Sequence, residues 1–484
     1  MNIKQKTVGG FIWASVGNVG FGLINLLITF ILARLLVPAD FGLIELVTII
    51  TSISTVFVDS GFSQALIRDK QATLLDISSV FYVNVMIALL CYGLLFWAVS
   101  GMAIFFNEPR LTGLGRFCFL SIVFDALSIA QNANFTRQML FKPIAISNLA
   151  GISIAGTVGV ILASLDFGVW ALAATITLSS LFRTITLWII SDWCPVWKMS
   201  WRSIKKYFSF GGFLLLHTLF DKIVLNLESF VIGRLYTKQQ LGYFSQSGKI
   251  NAYFCHALTN VIVKVTYPAL VRLDNSEVRL KEGYRKIVGL TTFFITPFMM
   301  FLIFFPVQFI YTFLGKQWLE AAPLLVLWSV FGLFFPVQSI CNNIFYVKGL
   351  SKQLLYLSVI RQVLKIAVVL ALARISIFAM LLGTTIVAIF ATLLYVYFSG
   401  RLISYSLRDV WQDVYKNLMA SVVSASLTLL LAKSIFLPGS SYWEFCFCCV
   451  SMGGMYFFLN RVIHNRNYEE LKGILFSFIK KNRG

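Results

Sequence analysis

Long apolar runs separated by short polar segments dominate the pattern along the chain. A helix that crosses the hydrocarbon core of a bilayer needs about 20 mostly apolar residues. By that rule, the pattern predicts fourteen membrane-spanning helices, at 11–33, 41–60, 77–101, 114–136, 143–165, 168–190, 207–233, 240–270, 287–313, 321–347, 353–373, 376–400, 414–436 and 442–462. The predicted loops are too short to hold a soluble domain, which excludes a fused ATPase or a cytoplasmic catalytic domain.

Basic residues in the predicted loops give the chain an orientation. If the N-terminus is cytoplasmic, 26 Lys and Arg fall on the cytoplasmic side and 8 on the opposite side. Cytoplasmic loops of membrane proteins carry the excess of basic residues, so we expect both termini in the cytoplasm. The run 11–33 is longer than the apolar core of a secretory signal, roughly 7–15 residues. We therefore expect it to remain as the first membrane helix.

Composition supports lipid as the solvent. Hydrophobic residues make up 58% of the chain and charged residues 12%, whereas a soluble domain has about 25% charged residues. The net charge of +20 would suggest nucleic acid in a soluble protein, but here the basic residues serve as topology signals. The spacing of the eight cysteines suits neither a zinc site nor a disulfide framework, so we expect no metal and no cofactor.

A weak internal repeat is visible in the sequence. Residues 34–42 and 234–242 share Arg, Leu and a final Gly at the same spacing, and each follows an apolar segment that begins with Gly-Gly-Phe. Each copy lies between the first and second helices of a predicted six-helix block, which makes the blocks parallel repeats. The alternative is a chance match in low-diversity apolar sequence. We predict an all-α polytopic membrane protein with two parallel six-helix lobes, 1–200 and 201–405, followed by two more helices and a cytoplasmic tail, 406–484.

Two local patterns carry a resemblance to a known family. Residues 32–42 read LARLLVPADFG, and residues 59–67 read DSGFSQALI. Both resemble the polysaccharide-transporter (Wzx-like, O-antigen flippase) branch of the multidrug/oligosaccharidyl-lipid/polysaccharide exporter superfamily, closest to its colanic-acid and teichuronic-acid exporter group. The resemblance brings no site residues with it.

The resemblance implies a flippase rather than an enzyme. Its substrate would be an undecaprenyl-pyrophosphate-linked oligosaccharide, an exopolysaccharide or O-antigen repeat unit, moved from the cytoplasmic to the periplasmic leaflet of the bacterial inner membrane. Parallel two-lobed transporters bind substrate between their lobes, so we expect alternating access through a central cavity. We expect membrane lipids and the polysaccharide polymerase or glycosyltransferase machinery as partners, and no nucleic acid.

Ionisable residues inside the predicted spans are the candidates for function, since a basic residue near the bilayer midplane costs roughly 2.5–3.5 kcal/mol. Cations in a water-filled cavity would neutralise a passing phosphate group. We predict this substrate-binding role for Arg183, Lys222, Lys249, Lys264, Arg361 and Lys365. A coupling proton or sodium ion could be carried by Glu45, Asp125, Asp221 and Glu228.

Alternatives remain open at this point. Glu45 could pair with a basic group near the interface and fix packing, while Arg183 and Lys264 could lie near membrane ends and extend to the headgroups. Export could be driven by membrane potential alone, which gives an anion about 2.3 kcal/mol per charge per 100 mV. Competing functions are a multidrug cation antiporter of the same superfamily, a lipid II flippase, or a membrane-embedded polysaccharide polymerase or ligase.

Overall fold

The computed structural model describes residues 3–59, 61–69, 71–273, 276–435 and 442–481. All regular secondary structure within these ranges is helical. The first ten helices are α1 (Ile3–Leu35), α2 (Pro38–Asp59), α3 (Phe62–Arg68), α4 (Leu74–Phe105), α5 (Arg110–Cys118), α6 (Leu120–Arg137), α7 (Phe141–Ser164), α8 (Val169–Ile190), α9 (Trp201–Leu235) and α10 (Lys238–Leu273). Then follow α11 (Glu277–Phe304), α12 (Pro306–Phe313), a 3₁₀-helix (Lys316–Ala321), α13 (Ala322–Val347), α14 (Ser351–Leu372), α15 (Ile377–Arg401), α16 (Leu407–Ile435), α17 (Tyr442–Val462) and α18 (Arg466–Lys481).

The prediction of an all-helical polytopic protein is confirmed. Each of the fourteen predicted apolar segments falls on one of these helices or on two consecutive ones. Among the described residues, twelve stretches are long and apolar enough to cross a membrane. The long helices α9 and α10 are not among the twelve, and the segments predicted on them, 207–233 and 240–270, carry three and two charged residues. Their spanning the bilayer stays a prediction.

Contacts divide the chain into two compact units, Met1–Ser245 and Gln246–Gly484. Each unit is stabilised by its own packing. The lobe boundaries drawn from the repeat, 1–200 and 201–405, stay a prediction.

Small residues bring helices of the first unit into close contact. A Cβ atom added to Gly17 on α1 would lie 2.6 Å from the Cβ of Ala145 on α7. A Cβ on Gly151 of α7 would lie 2.8 Å from the carbonyl oxygen of Ser179 on α8. Lipid gives apolar helices no hydrophobic reason to associate, so close packing through such positions is a principal source of their association.

The segment between α8 and α9 is fixed against α4 by buried hydroxyl groups. The Val196 N–H donates to Ser78 Oγ at 3.0 Å, and the Ser200 N–H donates to Ser79 Oγ at 2.9 Å. Phe81 packs edge-on against Trp193, with ring centroids 5.9 Å apart. These bonds satisfy backbone donors that would otherwise lack partners outside a helix, and they fix where α9 begins.

In the second unit, a buried polar network joins the C-terminal helices to α11. Asn417 on α16 is fully buried and donates to the carbonyl oxygen of Gly289 at 3.1 Å and to Thr292 Oγ1 at 2.9 Å. Its side-chain oxygen Oδ1 accepts a hydrogen bond of 2.8 Å from Nδ2 of Asn465, which precedes α18. Because these groups satisfy one another, the network fixes the register of α11, α16 and the turn before α18.

Candidate functional site

The first unit contains a cavity of about 830 Å³. This volume lies within the range of small-molecule sites, about 300–1,000 Å³. Its lining residues come from α2, α3, α6, α8 and α9. Most of the surface that faces the cavity is apolar. The charged and amide groups that line it are Asp59, Gln64, Arg68, Asp125, Asn132 and Arg183.

A tight turn after α2 creates one wall of the cavity. Gly61 has φ 71°, a left-handed conformation that glycine adopts without steric cost. The carboxylate of Asp59 accepts the N–H of Ser63 at 3.1 Å, which satisfies a free donor at the start of α3. The turn therefore allows α3 to begin immediately and places Arg68, at its end, on the cavity wall.

One face of α6 forms another part of the wall. The lining residues Ile122, Asp125, Ile129 and Asn132 follow a spacing of three or four residues, which puts them on a single stripe of a helix. The stripe alternates apolar and polar side chains. It lies within a stretch that is long and apolar enough to span a membrane.

An ion pair lies inside the cavity. Arg183 Nη2 on α8 donates to Asp125 Oδ1 on α6 at 2.6 Å. The two side chains retain 30% and 24% of their exposure, so both face open space rather than packed core. A bond between two charged groups at this distance is a strong one.

Two further bonds between α6 and α8 fix the position of the pair. Thr184 Oγ1 donates to the carbonyl oxygen of Phe124 at 2.7 Å, and Trp188 Nε1 donates to that of Leu127 at 3.0 Å. Behind the pair, a Cβ on Gly151 would lie 2.9 Å from the Cβ of Arg183, so α7 packs directly against this turn of α8. The backbone that carries Arg183 is therefore held on both sides.

Four of the other predicted cations are described by the structure, and they do not line this cavity. Lys222 on α9, Lys249 on α10, and Arg361 and Lys365 on α14 are half-buried at other places. The side chain of Lys264 lies outside the described residues. Their role in binding substrate stays a prediction.

The remaining predicted carboxylates are divided between core and surface positions. Glu45 and Glu228 are 9% and 3% exposed and interact with other groups of the protein. Asp221 is half-buried, with Oδ2 3.4 Å from Nδ1 of His217 one helical turn away. That any of them carries a coupling ion stays a prediction.

Sequence reasoning missed part of the cavity. Arg68 was assigned to the topology signals, and Gln64 and Asn132 were not selected. The spacing of Asp125 and Asn132, seven residues apart on one helix face, was the available signal. For Arg68, the available signal was its position seven residues after Gly61, the glycine of the turn that follows α2.

The bundle and its charged cavity define the class of the chain. The fold is shared with the lipid II flippase MurJ in its inward closed conformation, with a TM-score of 0.76 at 15% identity over 95% of this chain and 99% of that one. An inward-facing multidrug resistance transporter of the MATE family gives a TM-score of 0.61 at 16% identity, over 79% of this chain and 94% of that one. The chain is thus a polytopic membrane protein with the fold of these transporters.

A family model described as polysaccharide biosynthesis protein matches residues 31–323. Because the match covers more than half of the chain, the chain belongs to this family. The family membership indicated by segments 32–42 and 59–67 is therefore confirmed.

Relatives match across much or all of the chain. An uncharacterized membrane protein in the cps region of Klebsiella pneumoniae is 22% identical over 501 aligned positions, which cover all of both chains. The teichuronic acid biosynthesis protein TuaB of Bacillus subtilis is 22% identical over 72% of each chain. The succinoglycan biosynthesis transport protein ExoT of Rhizobium meliloti is 23% identical over 73% of this chain and 71% of its own.

Proposed function

We propose that this protein translocates a lipid-linked oligosaccharide from the cytoplasmic to the periplasmic leaflet of a bacterial inner membrane. The observation that carries the proposal is the cavity of about 830 Å³, which places arginines, carboxylates and amides among apolar membrane helices. Membership of the polysaccharide biosynthesis family supports a glycan as cargo. The carrier lipid we propose is undecaprenyl pyrophosphate.

The chemistry of the cavity suits such a headgroup. A sugar diphosphate cannot enter hydrocarbon unaided, because its polar and charged groups would lose their hydration. The guanidinium groups of Arg68 and Arg183 are donors that match phosphate oxygens. The amide groups of Gln64 and Asn132 can donate hydrogen bonds to sugar hydroxyls and accept hydrogen bonds from them. The isoprenoid tail would stay in lipid.

The position of the cavity agrees with loading from the cytoplasm. Its lining includes the end of α2 and residues of α3, and α3 lies within the segment 61–76, which the distribution of basic residues assigns to the cytoplasmic side. We propose that both termini lie on that side as well. The other five predicted cations would neutralise the diphosphate at other stages of its passage, during alternating access.

The proposed process moves substrate without changing its covalent structure. The protein would take up the product of glycosyltransferases that build the repeat unit and deliver it to a polymerase on the other side. A coupling ion on Asp125, Asp221, Glu45 or Glu228 remains part of the proposal, as does a drive by membrane potential alone.

Complementation tests the function directly. We expect the chain to restore surface polysaccharide in a strain that lacks its own flippase and makes the matching repeat unit. Arg183→Gln should reduce export about tenfold or more at equal protein level, because a hydrogen bond to a charged group is lost. The matched control is Arg374→Gln, an exposed arginine that does not line the cavity. Failure of the unaltered chain to restore export would overturn the proposal.

A multidrug cation antiporter is the second candidate. The carboxylates Asp59 and Asp125 in the cavity and the fold shared with a MATE transporter favour it. Everted vesicles loaded with a fluorescent cation separate the two functions. We expect no cation movement that depends on a proton or sodium gradient. Cation exchange that is abolished by Asp125→Asn would establish the antiporter instead.

A further inference from the structure

One N–H donor of Arg183 has no hydrogen-bond partner in the part of the chain that the structure describes. A guanidinium group carries five N–H donors in a fixed plane. Nη2 of Arg183 donates to Asp125, but its Nε is buried and has no hydrogen-bond partner among the described residues. A buried donor without a partner is uncommon and unfavourable. The pair is therefore only half formed.

A second arginine in the same protein shows the complete arrangement. Arg285 Nε donates to Asp413 Oδ2 and Arg285 Nη2 donates to Oδ1, both at 2.8 Å. One edge of the guanidinium group thus binds both carboxylate oxygens, the geometry in which arginine binds carboxylates and phosphates most strongly. Arg183 and Asp125 use one bond where Arg285 and Asp413 use two.

The backbone that carries Arg183 is fixed by contacts with two neighbouring helices. The bonds from Thr184 and Trp188 to carbonyl oxygens of α6 fix the register of the two helices. Gly151 presses α7 against the other side of Arg183. A free ligand is not attached to either helix, so it can align its oxygens with the guanidinium group of Arg183.

We propose that Asp125 is a stand-in ligand that a diphosphate group displaces from Arg183. Substrate and Asp125 would then alternate as partners of one arginine during the transport cycle. The inference rests on the proposed function, since it names the group of the lipid-linked sugar that enters this cavity. It explains how the empty protein could return without an unpaired arginine charge among membrane helices.

Asp59 supplies a matched control within the same cavity. Its carboxylate accepts the N–H of Ser63 rather than a bond from Arg183. Removing either carboxylate makes the cavity less negative by one charge. Only the removal of Asp125 also frees Arg183, so the two variants distinguish competition for the arginine from a general effect of charge.

The test measures binding of farnesyl diphosphate, a short isoprenoid diphosphate, to the purified full chain in detergent. Asp125→Asn should bind the probe at least about fivefold more tightly than the unaltered protein, the lower end of typical coupling between two ligands. Asp59→Asn should stay within about twofold, while Arg183→Gln should lose most of the affinity. The probe should also raise the melting temperature of Asp125→Asn more than that of the unaltered protein.

Equal or weaker binding by Asp125→Asn, or an equal gain in Asp59→Asn, overturns the displacement. If Asp125→Asn does not fold, Asp125→Ser carries the same expectation and the same contrary outcome. Complementation of export is scored separately. If probe binding follows these expectations but the chain does not restore export, the displacement stands and the proposed function is overturned. If the chain restores export but the variants bind the probe equally, the proposed function stands and the displacement is overturned.

Discussion

The turns between α1 and α2 and between α9 and α10 have the same length but different side chains. In each, the first helix ends at a leucine, Leu35 or Leu235, and the second begins three residues later, at Pro38 or Lys238. The sequences 34–42 and 234–242 agree only in Arg, Leu and Gly. The shared residues indicate what the turn requires, and the differing residues show what is particular to each copy.

The two copies start the second helix by different chemistry. In the first copy, Pro38 occupies the first helical position, where its missing N–H is no loss and its fixed φ suits a helix. In the second copy, Thr237 and Gln240 form a capping box: the Thr237 N–H donates to Gln240 Oε1, and the Gln240 N–H donates to Thr237 Oγ1, both at 3.2 Å. The second helix has to be initiated in both copies, but neither the proline nor the capping box is required in both.

The shared glycines have a reciprocal reason. A Cβ on Gly42 would fall on the carbonyl oxygen of Lys238, and a Cβ on Gly242 would fall on that of Pro38. Each turn thus packs the start of its second helix against the glycine of the other. Backbone atoms cannot move aside as a side chain can, so this contact explains why glycine is common to both copies.

The largest expected effect is at this contact. Gly42→Ala and Gly242→Ala should each destabilise the protein by about 3 kcal/mol, the upper range for a group forced into a packed site. Thermal unfolding of the detergent-solubilised protein measures the loss. Gly93→Ala on α4 is the control, because a Cβ there meets nothing within 4 Å. Equal melting temperatures for all three variants would show that the close approach is not rigid.

Lys238 provides the next largest effect, and the first copy has no counterpart to it. Its Nζ donates to the carbonyl oxygens of Phe106 at 2.9 Å and of Gly233 at 2.8 Å. Lys238→Met keeps the length of the side chain and should cost about 2 kcal/mol, since hydrogen bonds to a charged group are lost. Thermal unfolding should register the change, with Lys316→Met in the first turn of the 3₁₀-helix as a control. A loss no larger than that of the control would contradict this role.

A smaller effect is expected at the capping box. Thr237→Ala removes the hydroxyl group that accepts the Gln240 N–H and should cost about 1 kcal/mol. Thr237→Ser keeps the cap and should cost much less. If both substitutions lower the melting temperature equally, the methyl group of Thr237 matters and the cap does not.

The helices could be predicted from sequence because their physical cause is local. Runs such as 377–401 are apolar for the full width of a bilayer, and such a run has to satisfy its backbone groups within a helix. The predicted single segment 114–136 instead covers two helices, α5 and α6, because α5 ends at Cys118. The carbonyl oxygen of Cys118 accepts the hydroxyl group of Ser121 at 2.6 Å, a local bond that average hydrophobicity does not reveal.

The cavity was less predictable because its cause is not local. Arg183 and Asp125 are 58 residues apart, and each was selected as an ionisable residue in a span without any sign that they meet. Their pairing depends on the register of α6 and α8. That register is fixed by hydrogen bonds from the side chains of Thr184 and Trp188 to backbone carbonyl oxygens of α6. Every residue has a backbone carbonyl oxygen, so the sequence does not indicate which one accepts.

The smallest effect is expected when the capping box of the second copy is introduced into the first. Val37 is exposed and occupies the place of Thr237, and Asp40 occupies the place of Gln240. A Thr–x–x–Asp capping box already exists in this protein at Thr73 and Asp76. Val37→Thr should therefore create a cap with Asp40 and stabilise the protein by about 0.5 kcal/mol, the low end for capping because Pro38 already favours the helix.

Two comparisons test whether the Asp40 carboxylate is responsible. Val37→Thr should raise the melting temperature of the unaltered protein, whereas adding Val37→Thr to Asp40→Asn should not raise the melting temperature of Asp40→Asn. No gain would mean that the close contact at Gly42 leaves the first turn of α2 too little freedom to accept a second cap. Either result separates two explanations for the sequence difference between the copies. If the cap forms, the turn tolerates either initiation device and only the glycines are required, whereas if it does not, the proline is itself part of the packing.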